Sequence, residues 1–597
     1  MKLLQSNSLV ARLCLFGLLL SFPVLVTAQP VNAPLQALDD LRPGMPGEVW
    51  TVFKGHTPEP FAVVVTGILR NALGPGKNLI LCELTDPRVQ SMGAVAGMSG
   101  SPLYVEGKLA GVLSYQIQRF ETVRYAGFTP IKDLLEVSSL PASRDGFNPT
   151  PIPIKGNATA RSANLPEAIT PLSPAFATGG LSPEIAGLLG HQFQSLGLAF
   201  NALGGSEAGN GETTVATGEA VPHLQPGGVV AVALAVGDIT IAGTGTVSHV
   251  DGNRVLAFGH PMMSLGATEL PMASAEVVTI LPSQLNSIKV SNTGKIIGSF
   301  SQDRLSGIYG EIGRQPAMVP VEINFPARLN RKSLHFSVVR HEQVLPIIAA
   351  TGLAQAVSGS NESGFTRGFR VTTQVEFPGT APVSVNQIYP GPQGFNQGLT
   401  DFVANLSLWL FNPYERVFPE SIRFTVEDTP EIPQGIVEQL QLSRNEAGPG
   451  QRVDLSLGWR GYQRAQATES LGLDIPREWA GKDLEVIVTT GPALDELTGH
   501  SRAVPIAQLR SFQEYISALR EFRDSDGLYV AIVEKTRLLT DQRATTAEMP
   551  GSLERIARAA DEARFQRRDV LSPLWERHVL PGMLFNIMLR KPLTVTD

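Results

Sequence analysis

The sequence predicts a mainly β protein, and three features carry that prediction. Glycine (58) and proline (44) punctuate the 597 residues. Between them lie short runs of β-branched and aromatic residues of strand length, and stretches with a helical period are few.

A first compact block spans 38–140. Its strand candidates are 48–53, 61–69, 78–84, 103–105 and 109–115, and Glu106-Gly107-Lys108 makes a hairpin turn between the last two. A short helix over 131–137 closes the block after Phe128-Thr129-Pro130. From 141 to 218 the composition is that of a linker. Pro149, Pro151, Pro153, Pro166 and Pro171 sit among small polar residues, and a glycine-rich tract follows at 204–218. One helix interrupts it at 183–195, with Ser182 as N-cap and Pro183 at the first helical position.

A second β block covers 219–378, with strands expected at 229–234, 239–242, 246–250, 254–258, 318–325 and 334–340. Asp251-Gly252-Asn253 is a tight hairpin connection. The region 379–597 has the character of an accessory unit. Sandwich-type strands are expected at 421–427, 451–459 and 484–490, and amphipathic helices at 512–522 and 552–568.

The chain begins with Lys2 and Arg12 ahead of the apolar run 13–26, closed by the small residues Thr27-Ala28. That is a signal peptide over 1–28, so the expected location is outside the cytoplasm, periplasmic or extracellular. No later stretch reaches the ~20 apolar residues of a spanning helix, so no membrane span is expected after cleavage. Cys14 leaves with the signal, and Cys82, in the apolar run 79–82, is read as a buried strand thiol. Losing Lys2 and Arg12 takes the formal charge from −7 to −9, and no dense Lys/Arg block exists. Nucleic acid is therefore excluded as a partner.

Chemistry concentrates in Gly97-Met98-Ser99-Gly100-Ser101-Pro102, a turn between two strands. A nucleophilic serine needs a tight turn that exposes its hydroxyl, with small neighbours that admit a substrate backbone. The N–H groups of Gly97 and Ser99 can converge as an oxyanion hole, each donor worth about 3–4 kcal/mol toward a tetrahedral intermediate. Ser101 is the competing nucleophile, but Ser99 has the flanking glycines. No His-Glu-x-x-His, cysteine pair, calcium loop, phosphate loop or dinucleotide fingerprint is present. Asp524-Ser525-Asp526-Gly527 is read as a plain turn. No metal and no cofactor are expected.

The segment from Thr85-Asp86-Pro87-Arg88 through Ala96-Gly97-Met98-Ser99-Gly100-Ser101-Pro102-Leu103 resembles the serine centre of the stage IV sporulation protein B (SpoIVB) peptidase family, as does Gly107-Lys108-Leu109-Ala110-Gly111-Val112. Gly243-Thr244-Gly245-Thr246-Val247 to Leu256-Ala257-Phe258-Gly259-His260-Pro261 resembles its histidine centre, and Gly307-Ile308-Tyr309-Gly310 looks like a further landmark. The resemblance implies a chymotrypsin-like double β-barrel, with 38–140 and 219–378 as its halves. It also implies a serine endopeptidase acting on a protein or peptide. By position, Ser99 is the nucleophile, His260 the general base and Asp86 the acid that orients the imidazole. His249 is read as a packing or surface residue. Two departures stand out. The serine block precedes the histidine block, the reverse of the family order, and Asp86 lies closer to the serine than the family spacing has it, which leaves Glu83 as a substitute. Triads tolerate any chain order, because geometry decides the chemistry. The other class of function is a catalytically silent envelope protein that binds peptides or partner proteins on the same scaffold.

Overall fold

The computed structural model describes residues 29–597 apart from 31, 118–122, 142–168, 173, 195–199, 202–203, 207–214, 217–222, 284–286, 327–332, 359–367, 413, 430, 499–510, 541–544, 548–551, 554 and 557–565. The expected signal peptide lies outside the described residues, as do most of the expected linker and of the helix at 552–568. Where that helix was expected to end, a strand, Gln566–Val579, begins instead.

The fold is mainly β, as its composition predicts. In the first block, β1 (Pro46–Val52), β2 (Pro58–Gly74), β3 (Lys77–Leu84), β4 (Pro102–Val105), β5 (Lys108–Ile117) and β6 (Tyr125–Pro130) pair in the order β1-β2-β3-β6-β5-β4. Because β4 also pairs with β1, the circuit closes on itself. Glu106 (φ 51°) and Gly107 (φ 73°) form the two-residue turn between β4 and β5, with Val105 opposite Lys108. Both turn residues have positive φ, which matches the right-handed twist of the flanking strands. Val49, Val63, Val65, Cys82, Leu103 and Phe128 fill the interior. Cys82 is buried and free, and burial raises its thiol far above the ordinary range.

Short strands β7 (Ile169–Pro171), β8 (Ala175–Gly179), β9 (Phe200–Asn201) and β10 (Gly205–Ser206) cross the linker region, and the helix Pro183–Gln194 follows Ser182, whose Oγ accepts the Ile185 N–H. The second sheet contains another closed circuit. β11 (Val229–Gly237), β12 (Thr240–Asp251), β13 (Arg254–Ala257), β16 (Gly307–Ile312), β15 (Ile288–Arg304) and β14 (Gly266–Leu281) pair in that order, and β14 returns to β11. The hairpin connection expected at Asp251-Gly252-Asn253 is present as a two-residue turn, with Asp251 on β12 facing Arg254.

This sheet does not stop at 378. β17 (Met318–Asn324), β18 (Leu334–Val339), β19 (Phe369–Glu376), β20 (Val383–Tyr389) and β21 (Ser421–Asp428) extend it, and β21, expected in the accessory region, pairs with both β17 and β19. Against it lies a helix the sequence did not announce, Val344–Ser358, which is apolar on nearly every side and almost wholly buried. A helix without a polar face has no amphipathic signature and survives only inside a core. The C-terminal region is built on two further sheets. Sheets built on Arg452–Gly461 and on Asp483–Thr489 share one core of Leu455, Leu471, Val486, Val530 and Leu593. The helix expected at 512–522 is Phe512–Arg520, capped by Ser511. Among the described residues, no helix is long and apolar enough to cross a membrane.

Candidate functional site

The Ser99 turn is held by a local ladder. The Met98 N–H donates to Val95 O (2.9 Å), Ser101 N–H to Met98 O (3.1 Å) and Gly100 N–H to Leu113 O (2.7 Å). Gly97 (φ 94°) and Gly100 (φ 95°) occupy conformations that favour glycine. Gly100 is required for a second reason. A methyl group there would collide with Thr246 O and lie 2.6 Å from Phe258 N.

The two motifs therefore meet. Thr246 N–H donates to Ser99 O (2.8 Å), and Thr246 Oγ1 donates to Gly97 O (3.1 Å). Thr129 Oγ1, from β6, donates to Gly259 O (2.7 Å). The Gly-Met-Ser-Gly turn of the first circuit is thus bonded to β12, whose hairpin partner β13 leads into the Gly-His-Pro turn of the second. Val52 packs with Val229, Ala231 and Val277, and Trp50 and Tyr104 with Leu256 and Tyr309. Those contacts carry the docking that a reversed block order demands.

Ser101 Oγ donates to Met98 O (2.6 Å), so its hydroxyl is spent on the turn. Ser99 Oγ, by contrast, is buried without a partner, and so is His260 Nε2. Both residues are 0% exposed, and no hydrogen bond joins them. Among the described residues, no acceptor takes the backbone N–H of Gly97 or Ser99, the two donors expected to form the oxyanion hole. His260 Nδ1 lies 2.8 Å from Pro261 O, an arrangement that puts the ring proton on Nδ1 and leaves Nε2 as an acceptor. Burial lowers the imidazole to about 4, against smaller opposing effects of the backbone carbonyls of Pro261 and Leu172. The loop after His260 is anchored by Asp303, whose buried carboxylate accepts the N–H groups of Met262 (2.7 Å), Met263 (2.8 Å) and Leu265 (3.1 Å). Phe258, just ahead, has φ 70°, a strained value for a bulky residue.

Asp86 is engaged elsewhere. It caps the helix Pro87–Met92, accepting the Arg88 N–H at 2.8 Å, and pairs with Arg88 Nη2 at 3.0 Å. Partial burial opposes its ionisation, but the Arg88 bonds outweigh that and hold the carboxyl below its ordinary range. Neither Asp86 nor Glu83 contacts His260; among the described residues no carboxylate does. The half-buried His249 lies at a bulge in β12.

Sequence reasoning missed Lys289 on β15. Its backbone N–H donates to Ala96 O (2.9 Å), and its stem covers the Cα of Gly97, where an added methyl group would sit 3.1 Å from Lys289 Cβ. The residue is 2% exposed, and Nζ donates to Thr51 Oγ1 at 2.8 Å. Among the described residues no carboxylate pairs with it, and burial alone lowers the ammonium to about 7. Alternation along Ile288-Lys289-Val290-Ser291 would assign the polar residues to solvent. Here the polar side is the buried one, with Ser291 Oγ 2.6 Å from Thr244 Oγ1. Thr293, further along the same face, lines an open cavity of about 730 Å³ with His56, His223, Glu276 and Lys295.

No family model, curated protein or solved structure matches this chain.

Proposed function

We propose that this protein is an exported serine hydrolase of the SpoIVB peptidase type, cleaving peptide bonds through an acyl-enzyme on Ser99. In this reading the closed circuits β1–β6 and β11–β16 are the two barrels of a chymotrypsin-like unit, with the site at their seam. One observation carries it. A serine hydroxyl without a partner stands in a double-glycine turn whose two alternate N–H groups are also uncommitted, at the place where the histidine motif is bonded on. Buried polar groups are ordinarily satisfied, so three unsatisfied groups at one turn point to a ligand that completes them. A tetrahedral oxyanion with its attached Ser99 oxygen has the matching chemistry. The resemblance assigns the proton of Ser99 to His260, whose Nε2 lone pair is available. Asp86 receives no part in this reading, since Arg88 occupies it.

The test is labelling with a fluorophosphonate. Folded wild-type protein is expected to be modified at Ser99, and Ser99→Ala to lose the label. Wild-type protein that stays folded and unlabelled from pH 5 to pH 10 would defeat the hydrolase reading.

A second reading rests on a different observation: Ser99 is closed to solvent while the 730 Å³ cavity beside Thr293 is open. A peptide-binding envelope protein would use that cavity and leave Ser99 idle. Peptide capture that survives Ser99→Ala but fails when His223 and Lys295 are replaced would favour it.

A further inference from the structure

We infer that Lys289 is the proton acceptor for Ser99, supplying an unprotonated amine to the turn that the two circuits enclose. The inference rests on the hydrolase reading and changes which group carries the proton.

Geometry places the stem and backbone of Lys289 against the turn, and its amine on the adjoining strand β1. The Lys289 stem lies on Gly97, two residues before Ser99, and its backbone is bonded to Ala96. Its Nζ is tied to Thr51, two residues beyond the Val49–Leu103 pair, on the side where β4 leads back into Ser101 and Ser99. The tether is a single hydrogen bond between a flexible four-carbon stem and a threonine hydroxyl, so in this proposal release from Thr51 lets Nζ swing toward Ser99 Oγ. A buried lysine that served only the fold would be matched by a carboxylate. Among the described residues none is present, and no charged group of β1, the Ser99 turn or β14 perturbs the amine; burial is the sole cause of its shift.

Acid–base matching favours the same group. A base works best when its conjugate acid titrates near the working pH. Lys289 is set at about 7, whereas His260, without a carboxylate, is set at about 4. In acylation, Ser99 Oγ bonds to the carbonyl carbon, its proton passes to Nζ, and the carbonyl π pair moves to the oxygen facing the N–H groups of Gly97 and Ser99. Collapse restores the C=O, breaks the C–N bond and returns the proton from Nζ to the departing amine. Water then attacks the ester, gives one proton to Nζ, and that proton ends on Ser99 Oγ as the acid leaves. His260 stays neutral and accepts a hydrogen bond as a positioning residue.

The experiment is the pH dependence of fluorophosphonate labelling at Ser99 in wild type, Lys289→Met, Thr51→Val and His260→Ala. Wild-type labelling is expected to rise through an acid limb near pH 7. Lys289→Met should label on the order of 100-fold more slowly at neutral pH. Thr51→Val, which removes the hydroxyl and keeps the shape, should move the acid limb to lower pH, and this variant carries the test if Lys289→Met does not fold. His260→Ala should label more slowly while its acid limb stays in place. Lys289→Met labelling within about threefold of wild type, or an acid limb that vanishes in His260→Ala, overturns the assignment and leaves the hydrolase reading standing. An unlabelled, folded wild type removes both.

Discussion

Two regions of this molecule bury charge, and they do it in opposite ways. In the C-terminal region, Arg523 reaches Asp495 Oδ1 at 2.6 Å through Nη1 and Glu576 Oε2 at 2.6 Å through Nη2, with the Asp495 side chain only 3% exposed. The buried Asp495 there has a counter-charge at bonding distance. At the seam between the two circuits, Lys289 has a hydroxyl for company, and Ser99 Oγ and His260 Nε2 have no partner. The first pattern is what stability alone produces, since isolated buried charge is costly. The second costs stability, and under the proposed function it is kept because a substrate meets those groups.

The comparison breaks most visibly in its pH dependence. The folded ammonium of Lys289 is depressed to about 7 from an ordinary 10.5. Between those values the unfolded chain binds the extra proton, so stability falls as pH drops from 10.5 to 7 and is level below 7. Lys289→Met removes that slope. Its gain over wild type should grow to about 5 kcal/mol at neutral pH, read from urea midpoints across the range. If both proteins show the same slope, the amine is charged in the fold and the contrast is lost.

The reciprocal change in the matched region has the opposite sign. Arg523→Met strands Asp495 and should destabilise the protein by about 4 kcal/mol in denaturant titrations. Gly100→Ala follows in size. It demands a positive φ and forces a methyl group onto Thr246 O, so about 3 kcal/mol of stability and the Ser99 label should be lost together. Smallest is Asp86→Ala, which removes a helix cap worth about 1 kcal/mol in thermal melts. Because Asp86 is paired with Arg88 and not with His260, the variant should label at Ser99 like wild type.

Several features were legible from local sequence. In the first block β1, β3, β4 and β5 appear close to their expected spans, because alternation and glycine punctuation report which residues can pair, whereas β2 runs on past 69 to Gly74 and β6 was not expected. The turns at Gly107 and Gly252 follow from glycines that accept positive φ. The exit of β21 from the accessory region was not legible, because strand pairing across ~100 residues is a long-range contact that no local period encodes. The same limit hid the helix Val344–Ser358, whose uniformly apolar surface carries no helical signature.

At the site the division is sharper. By itself the sequence determined a double-glycine serine turn and a glycine-flanked histidine, because those are properties of neighbouring residues. Only the tertiary structure decided that Thr246 joins the two motifs, that Arg88 takes Asp86 away from the imidazole, and that a lysine on a polar strand face lies dry against Gly97. The physical reason is burial. Which face of a strand meets water depends on what packs against it, and that same packing strips Lys289 of solvent and of any counter-ion.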